Sequence, residues 1–256
     1  EIAGRYTADA STAPVRMGGY EYARRFRAGG ERAVSVRRPS GGSREQEEVV
    51  LDVNQLAQGH AHYRIENWAV SPDGHHVAFL EDLSGQRRHV MRIRDLRTGT
   101  MLEDRVEGVA DTLAWEDDRT IIVVALDAAG RPLRLARKRL GQASEVFHDE
   151  SDVGTRFALL PGRSGGEVLV RRRGPDSDGL ARVAGNELEM LVPASPGHRY
   201  RLRRADRETF LLTDLGTTDY TLRVAPAGAV ADTGAWRTVY EPRPGARLID
   251  FETFED

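Results

Sequence analysis

The sequence contains no cysteine, so no disulfide can hold the fold and no thiolate is available to bind a metal. The same absence favours a cytoplasmic site, with a periplasmic one left open. Lysine is nearly absent too, Lys138 being the only one among 37 basic residues. That bias toward arginine reads as the codon usage of a GC-rich genome. A formal net charge of −3 gives no electrostatic drive toward nucleic acid or a membrane surface. No apolar run reaches the roughly 18 residues needed to span a bilayer. Neither an initiator Met nor a signal peptide is visible.

What is present is turn chemistry at regular spacing. In Ser71-Pro72-Asp73-Gly74 proline sets φ, aspartate can bond back to its own backbone, and glycine accepts positive φ. The run Val77-Ala78-Phe79-Leu80 that follows is too short for a helix and suits a strand buried on both faces. An alternating strand comes next, with Met91 and Ile93 facing opposite to Val90 and Arg92. Asp95-Leu96-Arg97-Thr98-Gly99 is a second turn, and Thr100 to Glu103 return as an outer strand. About 45 residues after Trp68, Leu113-Ala114-Trp115-Glu116-Asp117-Asp118 repeats the opening, with Ile121 to Val124 as the buried run. Phe157 to Leu160 with Val168 to Val170, and then Phe210 to Thr213 with Tyr220 to Ala225, supply further copies.

These repeats predict an all-β chain, a β-propeller of four-stranded blades. The expected blades cover approximately residues 15–54, 65–104, 109–148, 153–192 and 198–241, about five in number. Residues 1–14 read as a linker or the tail of a helix, and 247–256 as the start of a sixth blade. The acidic run Glu45 to Glu48 and the arginines Arg171-Arg172-Arg173 are expected to be solvated faces and strand edges.

Candidate chemistry is sparse. Gly162-Arg163-Ser164-Gly165-Gly166 fits the G-x-S-x-G pattern of a hydrolase nucleophile, but that elbow needs a helix after the serine. Here Glu167 to Arg171 has the composition of a strand, so the segment reads as a glycine-rich turn. His60, His62, His75 and His76 lack carboxylate partners at ligand spacing and read as loop residues. Trp68, Trp115 and Trp236 read as packing anchors. No catalytic, cofactor-binding or metal-binding residue is assigned, and no cofactor is implied.

The segment Glu47-Glu48-Val49-Val50-Leu51-Asp52-Val53-Asn54-Gln55-Leu56-Ala57, followed by Gly59-His60, resembles the prolyl oligopeptidase family of serine peptidases. The likeness is closest to its oligopeptidase B branch, which carries the same acidic-aliphatic segment ahead of a blade opening on a Ser-Pro-Asp turn. Glu81 to His89, Arg94 to Gly99 and Gly108 to Thr120 match as well. The resemblance covers nearly the whole chain and is strongest from Gly19 to Glu150. It implies a seven-bladed propeller capping an α/β-hydrolase domain that holds a Ser-Asp-His triad C-terminal to it. The hydrolase domain would then be absent from these residues, which alone would be inactive. The implied partners are that catalytic domain and short peptides, cleaved after basic residues, with the propeller restricting access. The alternative is a stand-alone propeller with Ser-Pro-Asp-Gly repeats that serves as a protein-binding scaffold.

Overall fold

The computed structural model describes residues 11–26, 32–161, 167–205, 208–226, 229–230 and 232–251. It is an all-β architecture of the propeller type, built from four antiparallel sheets, three of four strands and one of seven. The chain divides into two compact units, one ending at Leu113 and one beginning at Ala114.

The first unit opens with β1 (Val15–Met17), β2 (Tyr20–Arg25), β3 (Val34–Pro39) and β4 (Glu48–Asp52), paired in that order. Asp52 then caps a one-turn helix, α1 (Val53–Leu56), its carboxylate accepting from the N–H groups of Asn54 and Gln55 at 3.0 and 3.4 Å. The next blade holds β5 (Arg64–Val70), β6 (His76–Asp82), β7 (His89–Asp95) and the long strand β8 (Met101–Trp115). Trp68 sits opposite Phe79 across β5 and β6, the pairing expected if Ser71 to Gly74 is the intervening turn. In that turn the Ser71 hydroxyl donates to Asp73 at 2.5 Å, and Gly74 adopts φ of 73°. Val77, Ala78, Phe79 and Leu80 have no exposed surface. Burying Phe79 contributes about 2–3 kcal/mol relative to leaving it in water. Along β7 the alternation holds, with Met91 and Ile93 buried and Val90 and Arg92 half-buried.

The second unit contains β9 (Thr120–Ala125), β10 (Arg134–Arg139) and β11 (Ser144–Asp149), then β12 (Arg156–Pro161), β13 (Val168–Arg173), β14 (Asp178–Ala184) and β15 (Glu187–Val192). A last sheet holds β16 (Tyr200–Ala205), β17 (Glu208–Thr213), β18 (Thr221–Pro226) and β19 (Arg237–Tyr240). Ile121 to Val124 are fully buried on β9. One core cluster gathers Leu169, Leu180, Val192, Tyr200, Leu202, Leu211 and Trp236, and the Trp236 indole N–H donates to the Val230 carbonyl at 3.0 Å.

Three expectations change in detail. Ser11 bridges Arg25 and the Thr12 N–H donates to the Arg24 carbonyl, so residues 11–14 are extended against β2 rather than helical. Residues 1–10 lie outside the described residues. Arg247 to Phe251 form no strand; the Leu248 N–H meets the Asp219 carbonyl at 3.1 Å and Arg201 meets the Ile249 carbonyl at 2.6 Å. Residues 252–256 lie outside the described residues. The acidic run is only partly solvated, because Glu47 and Glu48 are drawn to Arg25 and Arg37, each at 2.6 Å. Among the described residues no helix is long and apolar enough to cross a membrane.

Candidate functional site

The densest polar chemistry lies in the second unit, at the start of β14. Asp178 is completely buried. Its carboxylate accepts from Arg171 at 2.5 Å and from Arg199 at 3.4 Å, with Arg173 at 3.6 Å, and the Tyr200 N–H approaches at 3.4 Å. Its own N–H donates to the His198 carbonyl at 3.0 Å. A carboxylate without water is tolerable only with such compensation. Hairpin geometry assembles it: Arg173 pairs with Asp178 across β13 and β14, and Arg171 lies two residues along on the same face. Arg199 arrives from the turn before β16, where it also donates to the Pro175 carbonyl at 2.6 Å.

Beside this cluster lies a cavity of about 240 Å³. Leu180, Val192, Leu202 and Leu211 form its apolar lining, and Arg171, Arg201, Arg203 and Asp250 are its charged groups. Gly179 belongs to the wall for a steric reason. A Cβ there would stand 3.1 Å from the Ala194 nitrogen and 3.2 Å from the Val192 carbonyl oxygen.

In the first unit a larger cavity of about 420 Å³ is lined by Trp68, Arg24, Arg32, Tyr63, Arg64 and Glu66 among others. Arg64 is held by Glu66 at 2.9 Å and Arg32 by the Tyr63 carbonyl at 2.8 Å. The Tyr63 hydroxyl donates to Glu81 at 2.9 Å; burial and the Glu81 charge together push its pKa upward, so it remains a donor. Nearby, Arg37 is almost wholly buried. It donates to Glu48 at 2.6 Å and to the Gly74 carbonyl at 2.5 Å, with its guanidinium 4.2 Å over the Tyr20 ring.

Turn carboxylates organise the same unit. Burial opposes ionisation of Asp82, but the N–H groups of Ser84, Arg87 and Gly85 prevail and hold its pKa at about 2. The Arg97 guanidinium, 2.9 Å away, is the main cause holding Asp95 at about 2, assisted by the N–H groups of Arg97 and Thr98.

The residues singled out by sequence fall in separate places. Gly162 to Gly166 lie outside the described residues; β12 and β13 flank them and pair antiparallel, Pro161 opposite Val168. His60 packs on Tyr63 at 5.5 Å, His62 lies against Gly85, and His75 pairs with Asp73 at 2.9 Å. Among the described residues no three His, Asp or Glu side chains come together as a metal site. Trp115 and Trp236 are buried, whereas Trp68 is half-buried, 6.0 Å from Tyr22, and lines the larger cavity. Arg171 to Arg173 were expected as a solvated edge. Arg171 and Arg172 are instead mostly buried, paired to Asp178 and Glu150, and only Arg173 is more than half exposed. Buried carboxylates 7 and 22 residues away in sequence draw them in, and no local periodicity announces that pairing.

Comparison with known proteins places this geometry in context. The pattern described as "Prolyl oligopeptidase, N-terminal beta-propeller domain" matches residues 1–167. Dipeptidyl aminopeptidase BI of Pseudoxanthomonas mexicana is 26% identical, over all of this chain and 38% of that protein. Protease 2 of Moraxella lacunata is 27% identical over 70% of this chain and 28% of its own length. Among solved structures, oligopeptidase B from Leishmania major superposes with a TM-score of 0.82 at 22% identity, covering 92% of this chain and 35% of that one. The relatives are therefore much longer than these 256 residues.

Proposed function

This chain belongs to the prolyl oligopeptidase family, and from that we propose that it is the substrate-gating propeller of an oligopeptidase B-like serine endopeptidase. The observation that carries the reading is the family match over residues 1–167, which includes the Glu47 to Ala57 segment. The peptidase names of its relatives and the oligopeptidase B-like fold support it. In this reading a catalytic domain, contributed by the same polypeptide, carries the nucleophile, base and acid. The propeller admits short peptides and excludes folded chains, and cleavage follows basic residues. A cytoplasmic site belongs to the same proposal, since nothing in the sequence calls for an oxidising compartment.

The test is to express these residues together with whatever coding sequence is contiguous with them. The product is assayed on arginyl, lysyl and prolyl reporter peptides of increasing length. Cleavage after Arg and Lys that collapses as the substrate lengthens supports both specificity and gating. Equal cleavage of a folded protein would reject the gating role, and preference for the prolyl reporter would reject the basic specificity. Absence of any hydrolase segment would favour a binding scaffold.

A further inference from the structure

We infer that the cavity of the first unit binds an aromatic carboxylate, its charged head received by Arg24, Arg32 and the Ser35 hydroxyl and its ring laid against Trp68. The inference concerns the first unit alone and does not depend on the peptidase reading.

The first observation is a buried hydroxyl without a partner. Ser35 is 7% exposed and lines the cavity, and its Oγ makes no hydrogen bond among the described residues. Unlike the sealed hydroxyl of Thr209, it keeps accessible surface and can be reached from the cavity. Native structures rarely leave a buried hydroxyl unpaired, and each exception calls for a physical cause. The sheet register sets this group beside a cation. Arg24 stands opposite Ser35 across β2 and β3, and Leu51 stands opposite Ser35 across β3 and β4, so the three form one row on one face.

The second observation is charge. Three arginines and one glutamate line the cavity, and Arg64 is spent on Glu66 at 2.9 Å. Arg32 has only the neutral Tyr63 carbonyl, 2.8 Å from one terminal nitrogen. Its backbone is fixed by the Asn54 side chain, which accepts from the Arg32 N–H at 3.1 Å and donates to the Arg32 carbonyl at 2.9 Å. The Arg24 guanidinium has no partner among the described residues. Arg24 and Arg32 are both exposed, so their remaining donors are open to a ligand. Water would satisfy Ser35, but it brings no charge to match two guanidinium groups that lack a carboxylate. A charge-assisted bond to a carboxylate is roughly twice as strong as a neutral one.

The remaining wall selects the body of the ligand. Half-buried Trp68 lines the cavity with Ile65 and Leu51, and an indole gains more from an aromatic ring than from an aliphatic chain of equal area. The volume of about 420 Å³ falls in the range of small-molecule sites. A peptide ending in phenylalanine and a free aryl acid share this chemistry.

The test uses the chain as it stands and follows tryptophan fluorescence during titration, since Trp115 and Trp236 are buried and do not line this cavity. The probes are N-acetylphenylalanine for a peptide terminus, 3-phenylpropionate for a free acid, and N-acetylphenylalaninamide as the neutral control. We expect a saturable change with one or both carboxylates, none with the amide, and none in Trp68→Phe. Saturation by N-acetylphenylalanine alone identifies a peptide terminus; saturation by 3-phenylpropionate alone identifies a free acid. Arg24→Gln, which breaks no bond among the described residues, should weaken binding about tenfold. Arg88→Gln changes the net charge equally at an exposed position outside the cavity and should leave affinity unchanged. An equal response to the amide, a response that persists in Trp68→Phe, no saturation with either acid, or equal weakening by Arg24→Gln and Arg88→Gln would overturn the inference.

Discussion

Arg37 in the first unit and Asp178 in the second each tie one four-stranded sheet to the opening strands of the next sheet, with opposite charges and different compensation. Arg37 on β3 reaches the Gly74 carbonyl in the turn between β5 and β6. Asp178 on β14 holds Arg199 and the Tyr200 N–H at the start of β16. The cation has a long apolar stem, a ring to lie on, and a carboxylate partner, Glu48, that is 42% exposed. The anion is short, fully buried and surrounded by three guanidinium groups. Removing the arginine leaves an acid that can turn to water. Removing the aspartate leaves three like charges converging on a buried position, of which only that of Arg173 is more than half exposed. The same mechanical task is thus less tolerant of substitution in the second unit.

Substitution separates the two arrangements most sharply. Asp178→Ala should destabilise by about 3–5 kcal/mol, the range for breaking a buried pair from one side. Adding salt should recover part of the loss, because the residual repulsion is electrostatic. Phe79→Ala, on the fully buried β6, should cost a comparable 3–5 kcal/mol through cavity formation, without any salt dependence. Urea unfolding of both variants at low and high salt is the measurement. A salt-insensitive Asp178→Ala would mean that the arginines relax into solvent and the charge argument fails.

Arg37→Met keeps the stem over Tyr20 and deletes the charge. It should cost about 1–3 kcal/mol, the scale of a charged hydrogen bond lost with a partner that can rehydrate. A loss equal to that of Asp178→Ala would erase the distinction between the two sites.

Acid provides a gentler probe, aimed at the first unit. Asp82 and Asp95 are held at about 2, below the value of roughly 3.9 for an unfolded aspartate. Depressed folded values stabilise fully above the unfolded pKa, and that contribution disappears as pH falls from about 4 toward 2. Urea midpoints measured across that window should decline, and less steeply in Asp82→Asn. An unchanged slope would show that the backbone donors around Asp82 do not favour its anion. The smallest effect belongs to His75→Ala, on the exposed side of the Ser71 to Gly74 turn, expected within about 0.5 kcal/mol of the parent.

The sequence by itself determined the elements built from neighbouring residues. The Ser71 to Gly74 and Asp95 to Gly99 turns, the buried runs Val77 to Leu80 and Ile121 to Val124, and the alternation around Met91 and Ile93 are written in periods of two and in turn chemistry spanning four or five residues. The helix α1 was within reach by the same logic, since Asp52 stands directly before it as a cap, but one turn is too short to show a period. Only the tertiary structure decided which arginines turn inward. Arg37 meets Gly74 across 37 positions, Arg199 meets Asp178 across 21, and the run Arg171 to Arg173 splits into two mostly buried cations and one more than half exposed, each beside a carboxylate. In a chain with 37 basic residues, nearly all arginine, every such position looks alike locally. The choice among them depends on where burial removes water, and burial is a property of packed sheets rather than of any short stretch of chain.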